Sequence, residues 1–243
     1  MNRLALVAET LRATLNALAT VAPAWLQALA PLEWYERYGK RIEETRLPQG
    51  PAKRDAYAQL VGEDGFALLD ALEAAETPAH LRTLPMITTL RRTWQRHYDR
   101  AMDEGAAAGH LPKSNVRFQR NQDLPPAAEA IESPSDPEAR YRHTCDTEWT
   151  GYMIHVSETC EPTAPHLLTH VHTTTAALYE AQCTAPIHQA LNAKDLAPRE
   201  HVVDGAYISA DVLVASRQEH GIILRGPTRP IQGWQAHTQG KRI

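Results

Sequence analysis

Apolar residues recur at three- and four-residue steps through much of the first half of the chain, which is the period of an amphipathic helix. The clearest such stripe contains Leu4, Val7, Leu11, Leu15, Leu18 and Val21. Pro23 ends this stripe, because proline cannot continue a helix interior. Further patterns of helical period follow at residues 24–29, 52–60, 64–75 and 84–98. Residues 1–130 are therefore predicted to form a mainly helical region.

Proline and glycine are frequent between residues 105 and 137, where we expect a loop or linker. After Pro137 the pattern changes to the two-residue alternation that is typical of strands. Residues 151–158 alternate in this way, and residues 166–173 are the expected hairpin partner. The two predicted strands are separated by a proline-containing turn at 162–165.

The remaining pattern alternates helices with strands. Residues 177–192 predict a helix that Pro186 kinks or interrupts. Residues 201–203 predict a short buried strand, and a second helix is expected after a cap at Ser209. Residues 222–224 predict the last strand. The predicted order is strand, strand, helix, strand, helix, strand, which indicates an α/β fold.

The composition excludes some classes of protein. A chain of 243 residues, 43% of them hydrophobic, is long enough to bury the core of one large or two small domains. A net charge of -4 argues against a generally basic surface for nucleic acid, although a local basic face could form from Arg91, Arg92, Arg96 and Arg100. The absence of an 18-residue apolar run, the absence of a signal-peptide pattern and three cysteines without CxxC spacing predict a cytoplasmic protein that does not contact membranes.

The most informative stretch is residues 200–209, in which an apolar run leads into Asp204, a turn of small residues and a helix. This arrangement places a carboxylate at the carboxyl end of a buried strand, where α/β proteins commonly hold their functional residues. Asp204 could also serve only as the cap of the turn and helix that follow. Composition and periodicity leave both interpretations open.

Several segments resemble the signatures of bacterial insertion-sequence transposases of the DDE type. They are SPSDPEARY at 133–141, WTGYMIHVSET at 149–159, HLLTHV at 166–171 and DGAY at 204–207. Segments 34–39 and 62–69 also look similar to this family. The resemblance covers nearly the whole chain, although DGAY reverses the small-then-glycine order of the family's DAGY.

The resemblance implies DNA transposition by two-metal phosphoryl transfer, with two aspartates and a glutamate holding a pair of Mg²⁺ ions. Asp204 matches the second aspartate, so it is the expected catalytic and metal-binding residue. Residues 131–243 would then form an incomplete ribonuclease-H-like mixed sheet with flanking helices, preceded by the helical region 1–130. DNA, at transposon ends and target, and further copies of the chain are the expected partners.

The same resemblance implies that the metal site is incomplete. The family's first aspartate lies on a strand upstream of the helical insertion, and its glutamate lies on a helix beyond the last strand. We therefore expect a truncated and inactive transposase that lacks a central strand. The alternative is a non-catalytic remnant that retains a surface for binding DNA or a subunit.

Other residues offer competing interpretations. His166, His170 and His172 lie near Cys160 in the sequence and could suit Zn²⁺ in a hydrolase, although surface histidines are the more common case. Asp136 and Glu138 lie in a proline-flanked loop, where a turn role is expected. Glu158 and Asp146 are further acidic residues that could stand in for the missing carboxylates. No phosphate-binding loop or serine-hydrolase motif is present.

Overall fold

The computed structural model describes residues 2–42, 47–101, 115–125, 130–144 and 146–227. It is a mixed α/β protein, with 51% helix and 18% strand, so the predicted α/β class is confirmed at this level. Contacts divide the chain into two compact units, Met1–Gly151 (unit 1) and Tyr152–Ile243 (unit 2). The division at residues 130 and 131 that the sequence suggests stays a prediction.

Unit 1 is built mainly from helices. They are α1 (Arg3–Val21), α2 (Pro23–Leu29), α3 (Leu32–Tyr38), α4 (Pro51–Glu73), α5 (Ala79–Arg82) and α6 (Pro85–His97). The helix predicted from the first stripe is confirmed, and its N-terminus is capped by Asn2, whose side chain accepts a hydrogen bond from the Ala5 amide. The two helices predicted at 52–60 and 64–75 are wrong as separate elements, because α4 runs through both.

Helix α1 lies in the core of unit 1. Leu11 and Leu18 on its stripe are fully buried, and the helix packs against α4 and α6. Among the described residues it is the one helix that is long and apolar enough to cross a membrane, and 61% of its apolar window is buried inside the protein. Burial of this extent is what the core helix of a folded unit shows.

Unit 1 also contains a two-stranded antiparallel sheet that the sequence pattern did not predict. Strand β1 (Tyr98–Ala101) continues directly from α6, and it pairs with β2 (Asn115–Phe118). The expectation of an irregular loop throughout 105–137 is therefore wrong at 115–118. Each strand has only four residues, and such a segment is too short to carry a period of its own. Tyr98 and Val116 are buried in the core, which holds the pair in place.

One buried carboxylate joins two segments of unit 1 that are distant in sequence. Asp64 on α4 accepts hydrogen bonds from Trp34 Nε1 at 2.8 Å and from the Tyr38 hydroxyl at 2.7 Å. Arg37 forms an ion pair with the same carboxylate at 3.0 Å. Burial and the neighbouring carboxylate raise the pKa of Tyr38 far above its ordinary value, so Tyr38 remains a hydrogen-bond donor. Segments 34–39 and 62–69, which share the family resemblance, meet here.

A three-stranded antiparallel sheet follows, in the order β3 (Arg140–His143), β4 (Glu148–Glu158), β5 (Leu168–Thr175). The first residues of β4 pair with β3 in unit 1, whereas residues 152–158 pair with β5 in unit 2. The predicted hairpin is confirmed, and strand β3 was missed. Asp136 has the predicted turn role, because its side chain accepts a hydrogen bond from the Ala139 amide at 3.1 Å.

The rest of unit 2 follows the predicted order of elements. It contains α7 (Glu180–Asn192), β6 (Glu200–Val202), a 3₁₀ turn (Gly205–Tyr207), α8 (Ala210–His220) and β7 (Ile223–Arg225). Pro186 does not interrupt the helix, because α7 is one helix on both sides of it, whereas the predicted kink stays a prediction. Ser209 caps α8, as expected. Strands β6 and β7 are parallel, and among the described residues they form a sheet separate from β3–β5.

The buried face of the β4–β5 hairpin is polar, and its exposed face carries apolar residues. His155, Ser157 and Thr174 are buried, whereas Ile154 and Val156 on the opposite face of β4 are 67% and 54% exposed. Helix α7 packs on β5. The hydrophobic cluster of unit 2 is small and centres on Cys183, Ile187 and Leu191 of α7.

Candidate functional site

Asp204 directly follows strand β6, as the sequence predicts, but the prediction that this strand is buried is wrong, because Val202 is exposed and His201 is only partly buried. Its side chain is exposed, and Oδ1 accepts a hydrogen bond from the Ala206 amide at 3.2 Å. Asp204 is thus the N-cap of the 3₁₀ turn Gly205–Tyr207. The capping role is present in the structure, and the position at a strand end remains compatible with a role as a ligand.

Asp204 lies at a cleft of about 190 Å³ within unit 2. The cleft is bordered by residues of β4, α7, β6 and the following turn. The lining residues other than Asp204 are His155, Val156, Ser157, Thr184, Ile187, His201, Val202, Val203 and Tyr207. Asp204 is the only acidic or basic residue in this set apart from the two histidines.

A polar contact joins the first hairpin strand to the turn that carries Asp204. The two ring nitrogens of His155 lie 2.6 Å from the Tyr207 hydroxyl and 3.0 Å from Thr174 Oγ1. Thr184 on α7 donates from Oγ1 to the Tyr207 carbonyl at 3.1 Å. The turn is therefore held by β4 and α7, and Thr174 on β5 contacts the second ring nitrogen of His155. Segments 149–159 and 204–207, both singled out in the sequence, are brought together by His155 and Tyr207.

The residues around Asp204 do not fit a pair of Mg²⁺ ions. Such a pair needs several oxygen ligands, mostly carboxylates. Over the part of the chain that the structure describes, no group of three His, Cys, Asp or Glu side chains is arranged to hold a metal ion. Glu158 faces His166, with Oε1 and Nδ1 3.8 Å apart, and Asp146 belongs to no such group. Asp204 is thus a single candidate ligand.

The histidines of the hairpin do not assemble a zinc site within the described ranges either. His170 and His172 share a face of β5 as predicted, with ring centroids 6.1 Å apart. His170 Nδ1 lies 3.2 Å from the ammonium of Lys194. Desolvation and this positive charge both lower the pKa of His170. A lysine at that nitrogen disfavours a cation there.

The predicted basic face is partly neutralised. Arg91 forms an ion pair with Glu73, and Arg100 forms a bidentate pair with Asp70 at 2.7 and 2.8 Å. A cavity of about 1140 Å³ in unit 1 lies beside Arg100, and it is bordered by Arg3, Arg117 and Arg120 as well as by Asp55 and Asp99. These pairs leave a surface of mixed charge.

The structure reveals a buried histidine pair that sequence reasoning missed. His188 on α7 has no exposed surface, and its Nε2 lies 3.0 Å from Nδ1 of His201 on β6. The ring of His220, at the end of α8, lies 5.5 Å from that of His188. Burial, and then the neighbouring histidines, lower the pKa of His188 to about 4. The sequence carries no signal for this pair, since the residues share no motif or spacing.

The histidine pair predicts that unit 2 loses stability in mild acid. The pKa values of His188 and His201 are both lowered in the folded state, which therefore favours the neutral form of each. Their contribution to the free energy of unfolding is fully present above the ordinary histidine pKa of 6.5. It declines as the pH falls from there to about 4. Amide hydrogen exchange of α7 against pH measures the effect in unit 2 alone, which matters because His97 in unit 1 also has a lowered pKa.

The matched control is His188→Gln, which removes one of the two titrating groups and should reduce the pH dependence of α7 exchange protection. The prediction would be contradicted if, in the unaltered protein, the exchange protection of α7 stayed constant from neutral pH down to about pH 4. Protection here means the value after correction for the intrinsic exchange rate.

Comparison with known proteins adds no relative: no family model, no curated protein and no solved structure matches the chain.

Proposed function

We propose that this chain is a polypeptide of the DDE transposase type, with a ribonuclease-H-like arrangement in residues 131–243, that does not cut DNA by itself. Among the residues that the structure describes, Asp204 is the carboxylate that would bind the metal, with Mg²⁺ as the ion, and DNA is the partner. The observation that carries the proposal is the position of Asp204 at the end of β6, on a turn that His155 and Tyr207 join to the first hairpin strand.

The order of elements in unit 2 supports this proposal. An antiparallel hairpin, a helix, a strand, a helix and a parallel strand follow one another, with β6 and β7 paired in parallel. The ribonuclease-H-like fold uses the same order after its first strand. The four sequence resemblances at 133–141, 149–159, 166–171 and 204–207 lie in this order along the chain.

The proposed lack of strand cleavage rests on the ligand set. One carboxylate, already engaged as a turn cap through Oδ1, is too few for the two-metal mechanism. The described residues place no second carboxylate in the cleft that Asp204 borders. What remains for this chain alone is a weak site for one hard divalent cation.

The test is Mn²⁺ binding followed by NMR, because this paramagnetic ion broadens the signals of nearby nuclei. We expect Mn²⁺ to broaden amides 203–208 selectively, and Asp204→Asn to abolish that broadening. Asp211→Asn is the matched control, since Asp211 is an exposed aspartate in the first turn of α8 that does not line the cleft. Broadening that survives Asp204→Asn, or that centres elsewhere, would overturn the metal-binding assignment.

A nicking assay on supercoiled DNA with Mg²⁺ or Mn²⁺ tests the second part of the proposal. We expect no cleavage above that of Asp204→Asn. Cleavage that depends on Asp204 would show that the site is complete and would overturn the inactive assignment. The alternative, a non-catalytic DNA-binding remnant, predicts DNA binding that weakens as salt rises, without cleavage. The same result is compatible with the proposed inactive transposase.

A further inference from the structure

Two of the four arginines in the predicted basic face border one pocket of unit 1. On helix α6, Arg92 and Arg96 are four residues apart, so both lie on the same face of the helix. Arg91 and Arg100 are paired with carboxylates and do not line this pocket. The pocket has a volume of about 190 Å³, and its lining includes Arg92, Gln95, Arg96, His97, Pro125 and Ile131.

Over the residues that the structure describes, the lining of this pocket is positively charged. It contains no aspartate or glutamate among those residues, and Asp123 and Glu132, which flank it in the sequence, do not border the pocket. Arg92 forms no hydrogen bond or ion pair with any described residue. Like charges four residues apart on a helix repel one another, so an anion between Arg92 and Arg96 would relieve an unfavourable interaction. A guanidinium carries five N–H donors, so Arg96 can keep a contact within the protein and still donate to an anion.

The positive charge of Arg96 also acts on the residues beside the pocket. Arg3 on α1 donates from Nε to His97 Nδ1 at 3.3 Å. Burial, and then the charges of Arg3 and Arg96, lower the pKa of His97 to about 3, so His97 is neutral. Because Nδ1 of His97 accepts a hydrogen bond, its proton lies on Nε2, and the ring is a donor that adds no negative charge. Burial and the charge of Arg96 lower the pKa of Arg3 as well.

We propose that this pocket of α6 binds a compact, doubly charged oxyanion, either inorganic phosphate or the terminal phosphate group of a small ester. The planar guanidinium group of arginine matches the geometry of phosphate oxygens and donates two hydrogen bonds at once. The volume of about 190 Å³ is below the roughly 300 Å³ of sites for drug-sized molecules, so the group that enters has few atoms. The residues of the pocket lie in unit 1 and take no part in the proposed binding of a metal ion at Asp204.

Isothermal titration calorimetry of the full chain with inorganic phosphate measures the binding. At about pH 8 a phosphate monoester carries two charges, because its second pKa is about 6. We expect saturable binding at low ionic strength with a Kd of about 1 mM or lower. Methyl phosphate distinguishes the two sources, because equal binding indicates the terminal phosphate of an ester and weaker binding indicates the free ion. Dimethyl phosphate carries one charge and should bind at least about tenfold more weakly than inorganic phosphate, and equal binding of the two would overturn the assignment to a doubly charged group.

A variant pair distinguishes the pocket from general attraction of anions to arginine. Arg92→Gln removes one charge at an exposed position, so it should preserve the fold and weaken phosphate binding by about tenfold or more. Arg91→Gln is the matched control, because it removes the same charge from the adjacent residue, which pairs with Glu73 and does not line the pocket. No saturable binding to the unaltered chain, or an equal loss in both variants, would overturn the proposal. Failure of the Mn²⁺ and nicking experiments would leave these results unaffected.

Discussion

Replacing Asp64 by alanine is expected to lower the free energy of unfolding of unit 1 by about 3 kcal/mol or more, which is a large fraction of the roughly 5–15 kcal/mol by which folded proteins are stable. Asp64 is buried on α4 and accepts hydrogen bonds from Trp34 and Tyr38, while it pairs with Arg37. Its removal leaves two buried donors without an acceptor and a half-buried guanidinium without its counter-charge. Each of these groups then carries an uncompensated desolvation penalty.

Chemical denaturation followed by tryptophan fluorescence measures this effect. Asp70→Ala is the matched control, because Asp70 lies on the same helix but is exposed and pairs with Arg100 at the surface. An exposed pair of this kind contributes about 0–1 kcal/mol. Asp64→Asn should fall between the two, since an amide oxygen still accepts one hydrogen bond. A loss below about 1 kcal/mol in Asp64→Ala would contradict the assigned role.

Replacing Gly65 by alanine should destabilise unit 1, although alanine is the better helix former by about 1 kcal/mol. A Cβ atom on Gly65 would overlap the indole ring of Trp94, which is 1% exposed. Trp94 Nε1 also donates to the Gly62 carbonyl at 3.1 Å, so the ring has no freedom to move outward without losing that bond. Overpacking of a core costs about 1–3 kcal/mol, and here it should exceed the gain in helix propensity.

A double-mutant cycle with Trp94→Phe tests the stated cause. The smaller ring leaves room for a methyl group, so Gly65→Ala should destabilise the Trp94→Phe background less than it destabilises the unaltered protein. Equal free-energy changes in the two backgrounds would show that the close approach of Gly65 and Trp94 is not the reason. The unfolding free energies of all four proteins provide the measurement.

The sequence was sufficient where short-range pattern and local chemistry decide the structure. The stripe of α1, the alternation of the β4–β5 hairpin and the caps at Ser209 and Asp136 depend on residues a few positions apart. It was insufficient for β1, β2 and β3, which are four residues long and exist because a partner strand lies beside them. Gly62 and Gly65 weaken the helical pattern of α4, yet α4 is continuous because Tyr98 and Trp94 pack onto those glycines.

Some features of the candidate site could also be predicted from the sequence, and others could not. The sequence alone determined that Asp204 follows a short strand and begins a turn, because a strand end and an N-cap are local features. Only the tertiary structure decided that His155 contacts Tyr207, that His188 contacts His201, and that β4 and β6 border one cleft. Those contacts join residues that are 52, 13 and about 50 positions apart, and no local pattern encodes a distance of that kind.

The hairpin shows the physical reason most directly. The two-residue alternation shows that every second residue of β4 lies on the same face of the strand. It does not show which of the two faces packs against the rest of the protein. The ordinary rule would bury Ile154 and Val156, and the structure buries His155 and Ser157 instead. The face that becomes buried is the one against which other elements pack. Those elements are distant in sequence and come to lie beside the strand only in the folded protein.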